Sequence, residues 1–332
     1  MKTNITKILL ISFILIGLFG CSANKIDNKP RPSSAGKLQV VDGQLCDKKA
    51  NPIQLQGVST YNMNWTSYYI NEDLFKQVSN EWHMNIIRLA MYTKGSEGYC
   101  NGGNQEKIKG FIDKGVNLAK DNDMYVIIDW HILEDGNPNT FVEESKKFFD
   151  EMSNKYKDYN NVLYEICNEP NGDITWQDIK DYANIIIPTI RNNDPNSVII
   201  VGNTDWSKGI KECLNDPLDY ENIMYTFHFY ATSHLQEYRD IVDYCASKKL
   251  PIFVTEYGVC TSNAGFPYDF ESSEAWWDLM NKYNISSCMW DLSSVAEAAS
   301  MIKHGVVKQK GFVTEDLTEA GLWLIDKLKP NN

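Results

Sequence analysis

The 332-residue chain is 43% hydrophobic, 23% charged and 12% aromatic, with nine Trp and eighteen Tyr, which excludes a disordered or collagenous chain and supplies a sizeable core. Its formal net charge of −12 argues against a nucleic-acid partner, which draws on clustered Lys and Arg. No Gly-rich G-x-G-x-x-G or G-x-x-x-x-G-K-[ST] loop offers a seat for a dinucleotide or nucleoside triphosphate, so no such cofactor is expected and chemistry should come from side chains.

Residues 1–20 read as a signal peptide. Lys2 and Lys7 give a positive start, and Ile8 to Gly20 carry no charge over a run too short to span a bilayer as a helix. The run ends in Leu18-Phe19-Gly20-Cys21, which resembles a bacterial lipoprotein signal with Cys21 as the lipidated residue. Polar, Pro-containing residues 21–36 read as a tether, and 37–332 as one domain. An exported protein held by this anchor at the bacterial cell surface or envelope is expected, touching membrane nowhere else.

In Val40-Val41-Asp42-Gly43-Gln44-Leu45 two apolar pieces flank an Asp-Gly turn, predicting a short hairpin cap. Eight β-rich runs follow: Ile53 to Val58, Asn85 to Ala90, Met124 to Trp130, Val162 to Asn168, Val198 to Gly202, Ile223 to His228, Ile252 to Glu256 and Ser287 to Trp290. Helical patterns separate them. In Asn104 to Asp121, for example, Ile108, Phe111, Ile112, Leu118 and Ala119 share a face. Eight βα units point to a single (β/α)₈ barrel of the α/β class, with a doubly wound sheet as the weaker alternative. Barrel chemistry sits at the C-terminal ends of strands. Arg88, Asp129 to His131, Asn168-Glu169, His228 to Tyr230, Glu256 and Trp290 all fall there. Besides Cys21, seven cysteines stand at irregular spacings without a C-x-x-C, so at least one thiol is expected free and no zinc framework is visible.

Glu169 precedes Pro170, which cannot extend a sheet ladder, and Glu256 precedes Tyr257-Gly258; both glutamates therefore stand at strand mouths, on the fourth and seventh strands. Either alone could be a solvated strand-end charge or an ion-pair partner. Together they match what acetal cleavage needs: a proton for the leaving oxygen and electron density at the anomeric carbon. Retention of configuration requires the two carboxyl groups about 5–5.5 Å apart, inversion about 6.5–9.5 Å. Arg88 could hold a carboxylate ionised, Asn168 bind a sugar hydroxyl, and His228 with Tyr230 orient neighbours. Asp129, His131 and His228 form a competing metal-ligand set, weakened by the absence of an H-E-x-x-H. Trp65, Trp206 and Trp290 lie near strand ends where rings can stack on sugars, whereas Trp82, Trp276 and Trp277 sit in helical patterns and are expected in the core.

Over nearly all of Leu38 to Leu328 the chain resembles glycoside hydrolase family 5, and within it the bacterial endo-β-1,4-glucanases. The motifs are Gly57-Val58-Ser59-Thr60, Ile87-Arg88-Leu89-Ala90-Met91-Tyr92, Ile128-Asp129-Trp130-His131-Ile132-Leu133, Tyr164-Glu165-Ile166-Cys167-Asn168-Glu169-Pro170-Asn171-Gly172, His228-Phe229-Tyr230 and Thr255-Glu256-Tyr257-Gly258. The resemblance implies a metal-free retaining double displacement with Glu169 as acid/base and Glu256 as nucleophile. Arg88, His131, Asn168, His228 and Tyr230 would assist, and Tyr61, Trp65, Tyr92, Trp206, His234 and Trp290 would bind sugar. Arg88 is expected to keep Glu256 ionised, and the Glu256 charge to keep Glu169 protonated.

Two positions depart from that family's pattern: Tyr61 stands where a His is usual, and Val295 where a Lys reaches a sugar hydroxyl. Losing a charged hydrogen bond costs about 1.5–3 kcal/mol, enough to alter sugar preference. The expected activity is therefore endo-hydrolysis of cellulose or mixed-linkage β-glucan by a monomer. The same barrel acting on mannan or xylan is the alternative, and a surface glycan-binding protein without catalysis a minor one.

Overall fold

The structure, a computed structural model, describes residues 29–330. The signal-peptide segment, Cys21 and residues 22–28 of the expected tether lie outside the described residues. Strands β1 (Gln39–Val41) and β2 (Gln44–Cys46) form the antiparallel hairpin expected around Asp42-Gly43. Eight parallel strands follow: β3 (Gln56–Thr60), β4 (Ile86–Tyr92), β5 (Tyr125–His131), β6 (Val162–Glu165), β7 (Ile199–Val201), β8 (Ile223–Tyr230), β9 (Ile252–Gly258) and β10 (Ser286–Leu292). They close in sequential order, with β10 pairing β3, into the (β/α)₈ barrel.

Most boundaries move by one to three residues, and two shifts matter for function. β6 ends at Glu165 rather than Asn168, so Glu169 rides on the turn beyond it, whereas Glu256 lies inside β9 rather than at its end. Several of the helices begin where a side chain caps them. Asn71 accepts from Leu74 N–H, Asn104 from Lys107, Thr175 from Asp178, Asp269 from Ser272 and Thr318 from Gly321.

Period-two alternation divides each strand between two environments. In β4, Ile87, Leu89 and Met91 face the helices, where they join the main core; in β5, Val126, Ile128 and Trp130 do the same. The other face fills the barrel bore. Its lower part is an apolar plug of Ile86, Tyr125, Ile127, Leu163, Ile200, Met224 and Phe253, closed from below by Leu38 and Leu45 at the hairpin. Above this plug the inward positions turn polar, with Arg88, Asp129 and Glu165 fully buried. The bore thus excludes water beneath the site and leaves charge only at the C-terminal mouth.

Residues 29–36, read from sequence as the end of a tether, instead pack onto the barrel. Arg31 donates to Ser79 Oγ and Met84 O, Ser33 bonds Asp123, and residues Pro32–Ala35 make one helical turn with Ala35 buried. Their polar composition concealed a set of specific hydrogen bonds to the loops ahead of β4 and β5.

Gly57 marks the tightest strand packing: a Cβ there would stand 1.8 Å from the Ile86 carbonyl oxygen. Because backbone must move to accept it, Gly57→Ala is expected to cost roughly 1–3 kcal/mol, measured as a lowered melting temperature. An unchanged melt would contradict this packing.

Candidate active site

Arg88 organises the mouth of the barrel. It stands on β4 with no exposure, and its guanidinium donates from Nε to Glu165 Oε2 at 2.7 Å, from Nη2 to Glu165 Oε1 at 3.3 Å and to Asn168 Oδ1 at 2.6 Å, and from Nη1 to Glu256 Oε2 at 3.3 Å. Asp129 Oδ2 lies 3.0 Å from Nη2. A buried guanidinium is tolerable only with such partners, and burial penalises the three carboxylates in turn. The Asp129 carboxyl is pushed up to about 7 by burial, with Arg88 opposing.

The histidines are neutral and oriented. Burial, reinforced by Arg88, holds His131 down to about 3. Its Nδ1 faces Asp129 Oδ2 at 2.6 Å and its Nε2 faces the Asn168 amide at 3.3 Å. Since Asn168 Oδ1 is taken by Arg88, its Nδ2 must be what meets His131, which assigns the ring proton to Nδ1. Burial likewise holds His228 down to about 4. The metal-ligand grouping of Asp129, His131 and His228 does not form. Among the described residues the one trio close enough to share a cation is Glu169, His228 and Glu256. Three of its ligand atoms are already engaged: His228 Nδ1 by Glu169, and the two Glu256 oxygens by Tyr230 and Arg88.

Glu169 and Glu256 face each other, with carboxylate oxygens within 4.8 Å. Their surroundings differ. Glu256 Oε1 accepts the Tyr230 hydroxyl at 2.8 Å and Oε2 accepts from Arg88, both of which favour the ionised form. Burial and Glu169 push Glu256 upward against them. Glu169 has only the neutral His228 ring, Nδ1 to Oε1 at 2.7 Å, and is pushed up to about 7. The main cause is burial, with Glu165 adding to it; the mutual repulsion of Glu169 and Glu256 acts at Glu256 as well. The hydrogen bonds thus favour the anion at Glu256 and leave Glu169 the better-placed proton carrier.

An aromatic wall runs from this pair. Tyr92 stacks on His131 at 4.1 Å, and His131 on Trp290 at 5.3 Å. Tyr61 lies 5.7 Å from Trp290 and 6.1 Å from Trp65, which is 46% exposed. Trp206, 45% exposed, stands beside Glu169 on a turn in which Asp205, Trp206 and Ser207 are all left-handed (φ 56°, 53° and 59°). Such a run of side-chain-bearing residues is strained and must be held. Trp206 N–H donates to Pro170 O and Ser207 Oγ to Asn168 O, tying the turn to the segment that carries Glu169. His234 is half-buried, its Nδ1 accepting the Tyr230 N–H at 2.8 Å. Trp82, Trp276 and Trp277 are core, as expected. The seven cysteines among the described residues are free thiols.

Sequence reasoning passed over Glu165, Thr255 and Glu297. Glu165 carried a readable signal, a lone charge inside an apolar strand run that must find a partner. Glu297, which accepts the Tyr61 hydroxyl at 3.5 Å, follows Val295 by two residues on the loop after β10 and carried none.

Residues 46–295 match the family model described as cellulase (glycosyl hydrolase family 5). Endoglucanase A of Butyrivibrio fibrisolvens is 45% identical over 296 residues, 88% of this chain and 68% of that protein. An endoglucanase of Clostridium saccharobutylicum is 43% identical over 333 residues, 100% of this chain and 73% of that protein. Among solved structures, a variant catalytic domain of Thermobifida fusca endoglucanase Cel5A in complex with cellotetraose superposes with a TM-score of 0.86 at 35% identity, covering 90% of this chain and 99% of that one. The chain belongs to glycosyl hydrolase family 5, the cellulase family.

Proposed function

We propose that this protein is a retaining endo-β-1,4-glucanase in which Glu169 is the acid/base and Glu256 the nucleophile. The observation that carries the reading is the facing pair itself: two carboxyl groups with oxygens within 4.8 Å, one bound by a cation and a hydroxyl, the other against a neutral ring. That separation suits the nucleophilic role and leaves too little room for the inverting water. Glu256 attacks the anomeric carbon as Glu169 protonates the leaving oxygen, and Glu169 then activates water to release the sugar. Arg88 and Tyr230 keep Glu256 ionised, and Asn168 and His131 offer polar groups beside it. The aromatic wall of Tyr61, Trp65, Tyr92 and Trp290 supplies stacking surface on one side, Trp206 and His234 on the other. A β-1,4-glucan substrate is supported by the endoglucanase names of the relatives and by the cellotetraose in the similar structure.

We further propose that the protein is exported and anchored by lipid at Cys21, with a catalytic domain that takes in the packed residues 29–36. Lys2, Lys7 and the uncharged run to Gly20 support this. Lys29 and Ser33 bond the loops preceding β4 and β5, opposite the cleft, which suits an anchor that leaves the cleft facing outward.

Glu256→Gln is expected to lower turnover of carboxymethyl-cellulose by at least ~10⁴-fold. Glu169→Gln should lower it by roughly 10²–10⁴-fold while sparing aryl cellobiosides with activated leaving groups. Full activity in the Glu256 variant would remove the assignment. The reaction needs Glu169 protonated, so kcat/KM should fall as pH rises through about 7; activity undiminished beyond that value would contradict the acid role. Cys21→Ser should move the protein out of the membrane fraction, and unchanged membrane association would count against lipidation.

A further inference from the structure

β9 breaks period-two alternation against both of its neighbours. Thr226 pairs with Phe253 and His228 with Glu256, two residues on β8 against three on β9. On the other side Ser287 pairs with Val254 and Met289 with Tyr257, again two against three. This bulge brings two successive side chains, Thr255 and Glu256, into the bore, where a regular strand would send one outward. Glu256 meets Arg88 and Tyr230; Thr255 is fully buried and meets Glu165, Thr226 and His228.

The bonds at Thr255 have a direction. Glu165 accepts from Arg88 at both oxygens, and its Oε1 also lies 2.7 Å from Thr255 Oγ1. Burial works against charge on Glu165 and the Arg88 fork works for it. An ionised Glu165 cannot donate, so Thr255 spends its single proton there. The Thr255 oxygen is then an acceptor to His228 Nε2 at 2.9 Å, and also to the Thr226 hydroxyl. His228 must therefore carry its proton on Nε2, leaving Nδ1 as a bare lone pair 2.7 Å from Glu169 Oε1. A lone pair there can only accept, and the proton it accepts is the one that Glu169 delivers.

We propose that Thr255 and Glu165 are positioning residues for the acid: through the chain Glu165, Thr255, His228, Glu169 they fix the His228 tautomer that keeps the proton on Glu169. This rests on Glu169 being the acid/base. The chain serves both halves of the reaction. While Glu169 is protonated, Nδ1 accepts its hydrogen bond; once the proton has left, the same lone pair opposes the carboxylate and drives it to take a proton from water. The other charged or titratable groups around His228 are Glu256 on β9, Arg88 on β4 and His131 on β5. None of these is hydrogen-bonded to the ring, whose two nitrogens are taken by Glu169 and Thr255.

Thr255→Val removes the acceptor and frees His228 to turn its proton to Nδ1, where it would stabilise ionised Glu169. The alkaline limb of kcat/KM should then move to lower pH by about one unit or more. Cellulosic substrate should lose kcat while activated aryl cellobiosides hold theirs, KM should change little, and Thr255→Ser should restore the wild-type profile. A limb that stays in place, or equal losses on both substrates, overturns the proposal. If Thr255→Val does not fold, ring-nitrogen NMR of the wild-type protein at neutral pH decides, with the His228 signal assigned by its loss in His228→Asn. Nδ1 without a proton is expected, and a protonated Nδ1 overturns the chain. Glu169→Gln tests the underlying assignment separately: if it abolishes the alkaline limb while Thr255→Val leaves that limb in place, the acid role stands and the chain falls.

Discussion

One buried guanidinium holds the site together. Arg88 has no contact with solvent, yet its donors reach Glu165, Asn168 and Glu256, and Asp129 lies against it. Desolvating it alone would cost several kcal/mol, and the surrounding carboxylates offset that cost only by being desolvated themselves. Three acids around one cation cannot all keep full charge, so the cluster settles how protons are distributed. Glu256 and Glu165 accept hydrogen bonds from Arg88, which favour charge against the upward push of burial. Asp129 is raised toward neutrality, and Glu169, which makes no bond to the cation, holds a proton. The proposed division of labour between two chemically identical side chains follows from which of them the guanidinium touches.

The fold supplies the rigidity this arrangement needs. An apolar plug below and close-packed helices around the barrel keep water from screening Arg88 from beneath. Arg88, Asp129, His131, His228 and Tyr230 come from strands, where alternation sets their directions, and two irregular features add to them. The β9 bulge turns both Thr255 and Glu256 inward, and the left-handed turn at Asp205–Ser207 carries Trp206 beside the acid. Both are local departures from regular geometry next to the reacting groups, held in place by hydrogen bonds from neighbouring elements.

Much of this was legible in the sequence because barrel strands have a simple grammar. Apolar runs ending in polar residues located all eight strands, and the hairpin was visible in its Asp-Gly turn. Arg88, His131, Asn168, Glu169, His228, Tyr230 and Glu256 do converge at one mouth. What escaped depended on register and packing, which a single chain does not spell out. A bulge leaves no mark in Ile252-Phe253-Val254-Thr255-Glu256, so that Thr255 and Glu256 both enter the bore could not be read there. Glu165 was taken as part of a motif, although a buried glutamate needs a partner such as Arg88. The proton on Glu169 was credited to repulsion from Glu256, whereas burial is the larger cause. Residues 29–36 looked like tether because polar side chains that bond specific loops have the same composition as those that bond water.

Central to the proposed reaction is that Glu256 attacks carbon directly while Glu169 handles the proton. The most direct measurement is the anomeric configuration of newly released sugar, followed by proton NMR in the first minutes of hydrolysis of a soluble cello-oligosaccharide, before mutarotation mixes the anomers. The structure predicts the β-anomer as first product, with the α-anomer growing only later. An α-anomer appearing first would mean that water attacks across a wider gap than these two carboxyl groups leave, and would contradict the covalent role of Glu256.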